Sequence, residues 1–75
     1  MSETSERTVR VPNISCGHCV RTIEREVGEL PGVRTVRGDA DQRRVTVTWD
    51  PDATDWRVIE ETMKDIAYPP EPVEG

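Results

Sequence analysis

Apolar residues along the chain fall into two periodicities. Val9 and Val11 alternate with polar neighbours, as on a strand with one buried face, and Pro12-Asn13 breaks the alternation. Val20, Ile23, Val27 and Leu30 then recur at spacings of three, four and three, the stripe of an amphipathic helix that starts at the second cysteine and is ended by Pro31-Gly32. Val33 and Val36 open a weakly patterned strand, which Gly38 interrupts and the polar turn Asp39 to Arg43 closes. In the next strand Val45, Val47 and Trp49 alternate with Thr46 and Thr48, β-formers on both faces. After the break at Asp50-Pro51-Asp52, with Asp52 or Thr54 as cap, Trp56, Ile59, Met63 and Ile66 repeat the helical spacing. The proline-rich stretch from Tyr68 to Val73 fits a sheet only as an edge.

The resulting order, β-α-β-β-α-β, predicts an α+β, ferredoxin-like open-faced sandwich with both helices on one antiparallel sheet. The first and third strands are then central, and the second and fourth are edges. Residues 1–7 read as a polar, disordered tail, residues 8–73 as the domain, and residues 74–75 as a second tail.

Seventy-five residues with 33% hydrophobic and 33% charged side chains make one thin core and leave little room for a catalytic pocket. The net charge of −5 argues against a nucleic-acid partner. It arises in the second half, which holds four basic and ten acidic residues against six Arg and five Glu in residues 1–37. No apolar run reaches bilayer length and the first residues lack the features of an export signal, so the expected location is cytoplasmic and not membrane-embedded. Thiols stay reduced there, which makes Cys16-Gly17-His18-Cys19 a metal or redox site in preference to a structural disulfide.

Two thiolates spaced C-x-x-C at the entry to a helix can turn toward one point. The positive end of the helix favours their ionised form. Soft thiolates prefer Cu(I) to hard cations, and two cysteines cannot alone close a four-thiolate zinc site. Zn(II), Cd(II) and Hg(II) remain open as cargo, as does a thiol-disulfide oxidoreductase, since Cys-Gly-His-Cys is also the active-site tetrapeptide of protein disulfide isomerases. Those enzymes are longer and place Trp where this chain has Ser15.

Asn13-Ile14-Ser15-Cys16-Gly17-His18-Cys19 resembles the G-M-x-C-x-x-C metal loop of heavy-metal-associated domains, the small copper chaperones and the metal-binding domains of P-type transport ATPases. Leu30-Pro31-Gly32-Val33, Val45-Thr46-Val47 and Tyr68 extend the resemblance over about residues 8 to 73. The resemblance implies Cys16 and Cys19 as ligands, Ile14 packed beneath the loop, Tyr68 as a shield, and the matching domain of a P-type ATPase as the partner that receives the metal. A monomer, or two copies bridged by metal, would serve. Ser15 stands where zinc-type members tend to carry Asp, which favours copper. Asn13 and Ala67 replace two glycines of the family pattern; asparagine tolerates a left-handed backbone best after glycine, and if position 67 has positive φ its alanine costs about 1 kcal/mol and sets the placement of Tyr68 apart from the family pattern.

Other readings are plainer. His18, between the cysteines, is expected to face solvent, with ligation an alternative if two copies share a metal. Trp49, Trp56 and Met63 sit on apolar stripes as core, and Glu60 with Lys64 forms a solvated helix face.

Overall fold

The computed structural model describes residues 4–72, so the outermost tail residues and Val73 lie outside the described residues. The elements are β1 (Ser5–Arg10), α1 (Gly17–Gly28), β2 (Val33–Asp39), β3 (Arg44–Trp49), α2 (Trp56–Asp65) and β4 (Glu71–Pro72). The sheet is antiparallel in the order β2-β3-β1-β4, which places β1 and β3 at its centre as the alternation predicts.

One face of the sheet and both helices enclose the core. Val9, Val45, Val47 and Trp49 from the strands meet Val20, Ile23 and Val27 of α1 and Ile59 and Met63 of α2, all less than a tenth exposed. Each such side chain contributes about 1.5–3 kcal/mol by leaving water. Trp56 and Ile66 of the second stripe are only half-buried, at the rim. On the open face polar residues pair across strands, with Thr8 and Thr46 hydroxyls 2.9 Å apart.

Three boundaries differ from those the patterns predict. β1 begins at Ser5, so residues 5–7 belong to the sheet and not to a tail. Arg7 shares the inward register with Val9, and its guanidinium lies 5.2 Å from the centre of the Trp56 ring, a cation–π contact that lets a charged residue end an apolar face. α1 begins at Gly17 with Cys16 as its N-cap residue, two positions before Cys19. The cap of α2 is Asp55, which accepts from the Val58 N–H at 3.2 Å. Asp52 and Thr54 are instead used in the preceding turn, where Asp50 accepts from both their amides.

Two glycines are required by close approach. Gly32 has φ 90°, and a Cβ there would fall 2.7 Å from that of Ala53. Gly38 lies directly under Val20, so α1 rests on β2 where a side chain is missing. The predicted interruption at Gly38 is therefore a seat for the helix, and β2 runs through it.

Candidate metal centre

β1 delivers the chain to its own C-terminal end, and the loop from Val11 to Cys16 turns it back into α1. Val11 and Ile14 are fully buried, and the Ile14 N–H donates to the Val11 carbonyl at 3.1 Å, so the loop is anchored from below. Ile14 is thus part of the core. The β2–β3 hairpin supports the same end, where the Arg43 carbonyl accepts from the Val11 N–H at 2.7 Å.

Cys16 is exposed and Cys19 is buried, and both are free. Their sulfurs lie 3.9 Å apart, far beyond a disulfide bond length. Three residues of helical advance turn the two side chains to the same end of α1. Tyr68 reaches this end from the turn after α2. Its hydroxyl is the largest of the influences that lower the Cys19 thiol from the ordinary 9.0 to about 6. The Ser15 amide, the Ser15 hydroxyl at 3.7 Å and the Cys16 amide act in the same direction and outweigh burial. The Tyr68 phenol is raised in turn by its interaction with Cys19, then by burial and by the neighbouring sulfur charges.

The turn carrying Tyr68 ends α2 in a Schellman arrangement. The Tyr68 N–H donates to the Met63 carbonyl at 2.8 Å and the Ala67 N–H to the Lys64 carbonyl at 3.1 Å. Ala67 occupies the left-handed position with φ 71°, the condition under which alanine is costly there. Asn13 does not have a positive φ, and its side chain instead donates to the Ala67 carbonyl at 2.9 Å.

The sequence singled out Ser15 and Asn13 for other reasons, and their contacts with Cys19 and Ala67 are what it did not assign. A hydroxyl four residues before a buried cysteine was a readable signal for Ser15. The Asn13 contact joins positions 54 residues apart and leaves no local signature. His18 is exposed, and its carbonyl accepts from the Thr22 hydroxyl at 3.2 Å. Among the described residues no group of three or more His, Cys, Asp or Glu side chains is placed to hold an ion, so His18 is not drawn in beside the sulfurs.

A four-stranded antiparallel sheet with two helices on one face, and a reduced C-x-x-C pair at the start of the first, defines a ferredoxin-like domain with one exposed and one buried thiol. The heavy-metal-associated domain model matches residues 8–69, and the chain belongs to that family. It is 35% identical over 63 residues to the copper chaperone CopZ of Bacillus subtilis, covering 84% of this chain and 91% of that one. It is 36% identical over 63 residues to a probable copper-exporting P-type ATPase of Archaeoglobus fulgidus, of which it spans only 8%. Oxidized MerP from Ralstonia metallidurans superposes with a TM-score of 0.88 at 25% identity, covering 96% of this chain and all of that one. These relatives bear out the ferredoxin-like expectation.

Proposed function

We propose that this protein is a cytoplasmic carrier of Cu(I), bound between Cys16 and Cys19 and passed by thiolate exchange to the metal-binding domain of a P-type transport ATPase. The observation that carries the reading is the pair of free sulfurs 3.9 Å apart at an exposed loop, one of them ionised near pH 6. Two metal–thiolate bonds, each about 2.3 Å for zinc, are long enough to bridge that gap. Coordination by only two sulfurs leaves the ion open to an incoming thiolate, so cargo can move without being released to water. Relatives named as a copper chaperone and a copper-exporting ATPase support copper as the cargo and such a domain as the recipient. Among the described residues no helix is long and apolar enough to cross a membrane.

The geometry gives less support to a disulfide oxidoreductase. Such an enzyme attacks with an ionised thiol at the surface, but the thiol held down here is the buried Cys19. A chain that shields its thiolate is built to hold cargo.

The deciding experiment is competition for Cu(I) against a chelator under anaerobic conditions, followed by transfer to a purified domain of a copper ATPase. Stoichiometric binding and transfer are expected. Binding no tighter than that of a chain lacking both cysteines, or catalytic turnover of a disulfide substrate, would overturn the reading.

A further inference from the structure

Asn13 is exposed and lies three residues before the first cysteine, yet its side chain reaches across the site to the far turn. Its Nδ2 donates to the Ala67 carbonyl at 2.9 Å. Two observations show what this bond is for. The backbone at Asn13 is not left-handed, so asparagine is not present for its own conformational tolerance. Ala67 is left-handed at φ 71°, a conformation that alanine resists and glycine accepts.

We propose that Asn13 is a positioning residue whose side-chain amide, bonded to the Ala67 carbonyl, clamps the turn that carries Tyr68 against the loop that carries both cysteines. An alanine at this turn tends to relax toward right-handed backbone. Tyr68 follows it directly, so the relaxation would swing the phenol off Cys19. The amide bond opposes that rotation by fixing the plane of the peptide joining Ala67 to Tyr68. Asparagine and alanine thus work as a pair at positions 13 and 67. The consequence for metal retention rests on the carrier reading above, but the clamp itself is a property of the metal-free chain.

The test uses metal-free protein in a Cys16→Ser background, so that Cys19 alone reacts with iodoacetamide, at a pH where the thiol is fully ionised. Asn13→Ala should speed alkylation about three- to ten-fold, the population effect of one lost hydrogen bond, and Asn13→Asp, which keeps the size but not the donor, should do the same. Adding Ala67→Gly to Asn13→Ala should restore slow alkylation, because glycine holds the turn unaided. In a Tyr68→Ala background Asn13→Ala should have no further effect. A rate unchanged by both Asn13 variants, or raised equally with and without Tyr68, would overturn the proposal, as would a rate that Ala67→Gly leaves high. Urea midpoints confirm that each variant is folded. Because no metal is present, failure here is separate from failure of the carrier reading, which Cu(I) competition on the unmodified chain decides.

Discussion

Tyr68 lowers the Cys19 thiol from a turn whose backbone is closed on Met63 and Lys64 of α2. We propose that the phenol shields the thiolate as well as acting on it electrostatically. Tyr68→Phe separates the two actions by removing the donor and keeping the ring. Thiolate absorbance should show Cys19 titrating well above 6, with transfer of Cu(I) to a chelator in stopped flow changed less than in Tyr68→Ala. Fast transfer from the Ala variant with little loss of urea stability is the signature of a shield. Unchanged transfer with a marked drop in stability would make Tyr68 a core residue only.

Folded Cys19 ionises near 6 and an ordinary thiol near 9.0, so between these values the native state binds fewer protons than the unfolded chain. Stability of the metal-free protein should rise as pH is raised from about 6 to about 9, and this contribution should vanish as pH falls through 6. Tyr68 is displaced upward from 10.0 and acts in the opposite sense, losing its contribution as pH rises further, so the scan should stop at about 9. Urea midpoints across that window provide the measurement, and Cys19→Ser should flatten the slope.

Replacing either cysteine with serine should abolish tight Cu(I) binding without unfolding the domain, since the buried aliphatic residues hold it together. His18→Ala should alter affinity by less than about tenfold, or 1.4 kcal/mol, because the imidazole is not placed beside the sulfurs. Chelator competition checks both, and retention of parental affinity in either serine variant would remove that sulfur from the site.

Ala67→Gly should stabilise the protein by about 1 kcal/mol through relief of the left-handed alanine. Gly38→Ala should destabilise it by about 1–3 kcal/mol, because the new methyl would displace Val20 and lift α1 from β2. Urea denaturation of the two variants should show midpoints moving in opposite directions.

The helical stripes and the alternation in β3 made the architecture legible, because burial in a two-layer sandwich acts on every third or fourth residue of a helix and every second of a strand. The element starts were less legible. Ser5 to Thr8 are polar, and hydrophobic alternation cannot reveal a strand whose inward Arg7 packs on a tryptophan far along the chain. Counting apolar residues likewise began α1 too late, since Cys16, Gly17 and His18 carry no stripe. The cysteines were recognisable from their spacing. Tyr68 was named beside them by the family resemblance, whereas the bond from Asn13 to Ala67 is a contact that only the closed fold creates.

The two tryptophans sit where β3 ends and α2 begins, with ring centres 5.8 Å apart. Trp49 pairs with Ser5, at the end of β1 opposite the one that enters the cysteine loop. The five residue steps from Ser5 to Arg10 put about 17 Å between this pair and the site end of the sheet. The molecule therefore carries an intrinsic optical reporter that is remote from its thiols. Tryptophan emission should follow unfolding while staying nearly silent to metal loading, so folding and loading can be read in one cuvette as independent signals.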